Sequence, residues 1–122
     1  MNRKALVLSS LLLLLITGEV RASVEFPSQL RGFWDLGPAQ CRLPVNSDAD
    51  SPIEITARAI HAYEHTENPL SVKRVSSKVQ AWVISTDSDV APGLVVYDLY
   101  VLKGDHLTIT DGETTRSYKR CR

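Results

Sequence analysis

Among 122 residues there are only two cysteines, three histidines, one methionine and two phenylalanines, and neither acids nor bases are in excess. So few His and Cys argue against a four-ligand metal cage. Fourteen basic side chains balance fourteen acidic ones. A nucleic-acid binder held by counterion release is therefore not expected, nor a basic patch that clings to membranes. The sequence has no glycine-rich phosphate loop, no Gly-x-Ser-x-Gly elbow and no C-x-x-C pair. Its longest apolar run, Ala5 to Ile16, is interrupted by Ser9 and Ser10 and falls short of the roughly 20 residues that span a bilayer. What remains is an ordinary globular composition, 43% hydrophobic and 23% charged, in a length that suits one domain.

Residues 1–22 read as a secretory signal peptide. Arg3 and Lys4 form its positive start, the apolar run its middle, and Val20-Arg21-Ala22 its small-residue edge before Ser23. No cysteine lies at that edge, so a lipid-modified start is not expected. Residues 23–122 then form a single domain. Loss of Arg3, Lys4 and Arg21 against Glu19 leaves eleven basic and thirteen acidic side chains. A chain of this size buries roughly 65% of its unfolded surface, enough for one small core.

Both cysteines lie beyond the cleavage edge, and export carries them to an oxidising compartment, periplasmic or extracellular. A Cys41–Cys121 bridge is expected, tying the chain's end to the start of the fold. The alternative, two free thiols in a redox or nucleophilic site, lacks the C-x-x-C spacing.

Short β-signals follow one another along residues 23–122. Ser23 to Arg31 reads as an extended arm with one helical turn, and Gly32 to Leu36 as the first strand. Cys41 to Pro52 is a polar loop, and Ile53 to Thr56 alternates as a half-buried strand does. Ala59 to Thr66 reads as another strand. A helix over Ala57 to His65 competes there, but nine residues would be marginal. Leu70 to Val75, Lys78 to Ser85, Leu94 to Leu102, His106 to Thr110 and Thr114 to Cys121 complete the set, with a turn at Thr86 to Asp89. Asp111-Gly112 is a strong hairpin signal. Seven or eight short strands at this spacing predict an all-β fold, a small antiparallel barrel or a sandwich-like meander with one disulfide.

Leu30-Arg31-Gly32-Phe33-Trp34, Pro38-Ala39-x-Cys41, Ile53-x-Ile55, Tyr63-Glu64 and Tyr118-Lys119-Arg120-Cys121, taken in order, resemble a group of small exported bacterial proteins of unassigned function. That resemblance implies a disulfide-closed periplasmic barrel from a Gram-negative bacterium, and no activity. Gly32-Phe33-Trp34 also resembles the Gly-x-Trp entry strand of lipocalins and of periplasmic metalloprotease inhibitors that share their barrel. The likeness implies a Trp34 that plugs one end, with Arg116 or Arg120 packed across its ring as a cation–π partner. The chain is shorter than a typical lipocalin and lacks the large helix that closes such barrels, which argues against a roomy ligand cavity.

His61-Ala62-Tyr63-Glu64-His65 spells the inverted zincin pattern H-x-x-E-H. That chemistry needs a helix, where residues four apart share a face. On a single strand His61 and His65 would lie about 13 Å apart, too far to share a zinc at about 2.1 Å. The reading is therefore two exposed strand histidines on the face of Tyr63, with Glu64 on the other. Asp98 sits inside the most apolar strand and, if it faces inward, needs an Arg or Tyr partner. Asp48, Asp50 and Glu54 lack the turn glycine and closing glutamate of an EF-hand and read as a solvated loop.

The expected function is that of a non-enzymatic exported binding protein, a monomer holding a protein partner or a small apolar ligand. Neither a cofactor nor a metal is expected, nor stable membrane insertion. The alternative is an inhibitor of a secreted hydrolase (a metalloprotease or lysozyme) that works through an arm carrying Phe26, Pro27 and Leu30. A small metal-dependent hydrolase is the remote third.

Overall fold

The computed structural model of this protein describes residue 18 and residues 22–46 and 48–122; the expected signal peptide lies almost wholly outside the described residues. Eight strands follow a 3₁₀ turn at Ser28–Leu30. They are β1 (Gly32–Leu36), β2 (Ile53–Ile55), β3 (Ile60–Ala62), β4 (His65–Arg74), β5 (Gln80–Ser88), β6 (Ala91–Lys103), β7 (His106–Thr110) and β8 (Thr115–Arg120). Each pairs antiparallel with the next, and β1 returns to pair with β8, Trp34 opposite Arg120 and Leu36 opposite Tyr118. The sheet is a closed eight-stranded barrel, not a sandwich.

Local sequence explains most of these elements. In β7, Leu107 and Ile109 are buried while their neighbours are not, the period-two pattern of a wall with one wet face. The β7–β8 turn forms because the Asp111 carboxylate accepts the N–H groups of Glu113 and Thr114 at 2.9 and 2.7 Å, while Gly112 takes φ 97°. That conformation is open to glycine and costly for other residues.

One end of the barrel is plugged. Phe26, Leu30 and Trp34 are fully buried, and the Trp34 indole N–H donates to the Leu30 carbonyl at 2.9 Å. The Arg120 guanidinium lies 4.2 Å from the Trp34 ring centroid and donates to the carbonyls of Arg31 and Gln29, both at 2.9 Å. Gly32 leaves room for it. A Cβ at that position would come within 2.9 Å of Arg120 Nη1, and the backbone there has φ 134°. Of the two arginines expected near the tryptophan, Arg120 occupies the position and Arg116 does not.

The Cys41–Cys121 bridge forms beside this plug, with Cα atoms 4.4 Å apart. The long β1–β2 loop folds back to reach it, Leu43 N–H donating to the Arg122 carbonyl at 3.1 Å and Arg122 N–H to that of Cys41 at 3.2 Å.

Three expectations are corrected. The segment Ala59 to Thr66 is not one strand: Tyr63 and Glu64 form a two-residue turn, with Ala62 opposite His65 and Glu64 at φ 62°. The predicted turn at Thr86 to Asp89 begins late, since β5 runs on to Ser88. The arm is not free. Phe26 N–H donates to the Ala57 carbonyl at 2.8 Å, Phe26 and Leu30 belong to the core, and Pro27 between them is half-buried. Burying two large apolar side chains outweighs any gain from leaving this segment in water.

Candidate functional site: the open end of the barrel

The strands alternate up and down, so the β1–β2, β3–β4, β5–β6 and β7–β8 connections gather at the end opposite the plug. Between them lies a cup of about 200 Å³ whose walls include Ile53, His65, Glu67, Ile109, Arg116 and Tyr118. Below it Tyr100, Ile84 and Ile60 fill the lumen. Small barrels commonly have interiors filled in this way.

Polar side chains of β4 and β8 line the cup, and inward ones of β5 and β6 meet them just behind its wall. Glu67 opposes the buried Ile60 across β3–β4, and Arg116 opposes the buried Ile109 across β7–β8. Asp98, itself buried, opposes Ile84. Its Oδ2 lies 3.8 Å from Arg116 Nη2, which is the arginine partner that an inward Asp98 requires. The Thr86 hydroxyl donates to Glu67 Oε1 at 3.5 Å, and His65 Nε2 lies 3.8 Å from Glu67 Oε2.

Burial pushes the Asp98 carboxyl above its ordinary value of 3.8, against the opposing pull of Arg116 and with a smaller push from Asp111. The Tyr100 and Tyr118 phenols are also raised, chiefly by burial, so both remain protonated at neutral pH. For Asp98, a raised native value means that the folded protein holds its proton more tightly than the unfolded chain does. Its contribution to stability therefore declines as pH climbs from about 3.8 through the raised value. Asp98→Asn is expected to remove that decline, leaving a flatter curve of urea midpoint against pH across this acid window. An unchanged slope would show that Asp98 does not carry it.

His61 and His65 do not converge. His61 pairs with Thr66 and is exposed, whereas His65 pairs with Ala62 and lines the cup. A two-residue turn has put them on opposite faces of the sheet, and Glu64 sits at the turn itself. This corrects the expectation of two exposed histidines on one face.

The other large depression, about 380 Å³, lies at the plugged end beside the disulfide. Its cations are mostly engaged in holding the clasp. Arg122 grips Asp105 through Nε and Nη2, at 3.1 and 2.6 Å, and the Lys119 ammonium donates to the Pro38 carbonyl at 2.9 Å. Arg120 is held against Trp34.

Comparison with protein-family models, curated proteins and solved structures finds no match for this chain.

The rim of the open end carries a feature that the sequence reading did not single out. Val90, Leu94, Val95, Val96 and Tyr97 are all exposed, with Leu94, Tyr97 and Val90 each more than 60% accessible. Their high apolar content reads as strand, and β6 is one, yet its first half reaches past the wall. The available signal was that the expected strand Leu94 to Leu102 outruns its neighbour His106 to Thr110; in the structure β6 has 13 residues against five in β7, so one flank of β6 runs without a neighbour.

Proposed function

We propose that this protein is a non-enzymatic exported binding module that engages a protein partner through the open end of its barrel. The observation that carries this reading is where the empty space and the apolar surface lie. The lumen is closed by Phe26, Leu30 and Trp34 at one end and filled by Tyr100 and its neighbours, leaving a cup of about 200 Å³. Small-molecule sites usually measure about 300–1,000 Å³ and are mostly apolar, whereas this cup is walled in part by Glu67, His65 and Arg116. Apolar side chains stand outside it instead, clustered on the rim, as at protein-binding surfaces.

The disulfide fits an oxidising compartment, and a periplasmic location, in a small lipocalin-like barrel from a Gram-negative bacterium, is part of the same proposal. Inhibition of a secreted hydrolase remains one form that such a partnership takes. It would act through the rim, because Phe26 and Leu30 are occupied in the core. A metal-dependent hydrolase finds little support in two histidines that face opposite sides of the sheet.

The test is affinity capture from the periplasmic fraction, comparing the native protein with a Leu94→Asp, Tyr97→Asp variant. A partner retained in roughly equal molar amount should bind the variant at least about tenfold more weakly, as when central interface side chains are lost. Equal retention by the variant, or one small apolar molecule per chain in a solvent extract, would overturn the proposal.

A further inference from the structure

The exposed half of β6 lacks more than cover for its side chains. On the β5 flank, Val96, Tyr97 and Asp98 oppose Thr86, Ser85 and Ile84, but the register then jumps to Ala91 opposite Ser88. Pro92 to Val95 have no cross-strand partner on that flank. On the other flank the ladder with β7 begins at Leu99 opposite Thr110. From Pro92 to Asp98, β6 therefore presents a free edge. An edge of this kind is a template for another strand. Pro92 and Gly93 blunt its first two positions, since proline has no N–H to offer and Gly93 has φ 82°. Leu94 to Asp98 remain, about the length of a short added strand.

The two turns that flank this edge carry charge of one sign. Where β7 would continue, the β7–β8 turn takes its place and carries Asp111 and Glu113; the β5–β6 turn carries Asp89, with Asp87 just before it. Asp111 stays ionised because the N–H groups of Thr114 and Glu113 hold its carboxyl below the ordinary value. Asp89 accepts the Thr66 N–H at 2.8 Å. Arg116, on β8 just past the β7–β8 turn, lines the cup and pairs with Asp98. A second copy of this chain would bring the same carboxylates against these, at an electrostatic cost.

We propose that the free edge of β6, Leu94 to Asp98, accepts an extended, lysine- or arginine-bearing segment of a partner protein as an added antiparallel or parallel strand. Main-chain hydrogen bonds would supply the pairing. Leu94, Val96 and the outward Val95 and Tyr97 would cover its apolar side chains, and the carboxylates of the two flanking turns would receive its cations. This inference rests on the open end being the partner surface, and it names the chemistry of the partner.

The probe is a capped hexapeptide of alternating lysine and valine, titrated into the ¹⁵N-labelled protein, with a glutamate–valine peptide as control. The lysine peptide should shift the amides of residues 94–98 and 111–114. Its affinity should fall about tenfold or more between about 0.05 M and about 0.5 M salt, because exposed charges are screened. An Asp89→Asn, Glu113→Lys variant, shown to be folded by its circular dichroism, should bind the peptide at least about fivefold more weakly at low salt. Equal binding of the glutamate peptide would overturn the proposal, as would shifts confined to the cup, no shifts at all, or dimerisation of the protein through this edge. If the peptide fails while the Leu94→Asp, Tyr97→Asp variant still loses its captured partner, strand addition alone is wrong. If that variant loses nothing either, the partner surface itself has been misplaced.

Discussion

Removing residues 23–30 is expected to unfold the barrel rather than trim a loose arm from it. Phe26 and Leu30 are fully buried, and truncating such residues costs about 2–5 kcal/mol each, depending on how far the cavity collapses. The deletion also strips the Trp34 indole N–H of its acceptor, the Leu30 carbonyl, and Arg120 of the Gln29 carbonyl. The sum rivals the whole stability of a small domain, about 5–15 kcal/mol. A graded version is Phe26→Ala, which should lower Tm by more than about 10 °C in a circular dichroism melt, at about 4–8 °C per kcal/mol for a chain of this size. A deletion that left Tm unchanged would mean that the plug is not part of the core, and it would restore the arm as a free ligand-binding element.

Loss of the disulfide is the second large effect. Cys41 and Cys121 are 80 residues apart in sequence, and in the chain-entropy account closing such a loop removes enough freedom from the unfolded state to stabilise the fold by about 4 kcal/mol. The Cys41→Ser, Cys121→Ser double variant should therefore melt roughly 15–30 °C below the native protein, and reductant should lower the native Tm towards the same value. Calorimetry with and without reductant would check both. A fall of less than about 5 °C would show that the backbone clasp at Leu43 and Arg122 holds the loop without the sulfur bridge.

Much of this was legible in the residues. β1 and β7 match their expected limits residue for residue, because a turn signal bounds each and β7 also alternates cleanly. The bridge was expected because there are two cysteines and the first 22 residues read as an export signal. What was hidden was hidden for physical reasons. Tyr63-Glu64 turns the chain with neither glycine nor asparagine, so the hairpin depends on the pairing around it and not on a local preference. Pro69 sits within β4, next to a shift in register, so the expected strand at Leu70 to Val75 in fact starts at His65. Phe26 and Leu30 look like any apolar residues near a proline; their burial is decided by Trp34 and Arg120, which come from the two ends of the domain. Leu94 to Tyr97 show the opposite case, since apolar content predicts strand well but does not say which strand has a neighbour. At the mouth, Asp98 and Arg116 were each marked from the sequence, but only the register of β6, β7 and β8 makes them a pair.

Closing the barrel through β1 and β8 also fixes when folding can finish. While synthesis has delivered only the first hundred residues, β1 has no second neighbour, Cys41 has no thiol to meet, and Trp34 has no cation above its ring, since all three partners lie between residues 118 and 121. Pairings this distant along the chain are also the slow ones to form. The protein thus carries a timing device in its topology: until β8 arrives it is an open sheet, and β8 with Cys121 then shuts the ring and locks it.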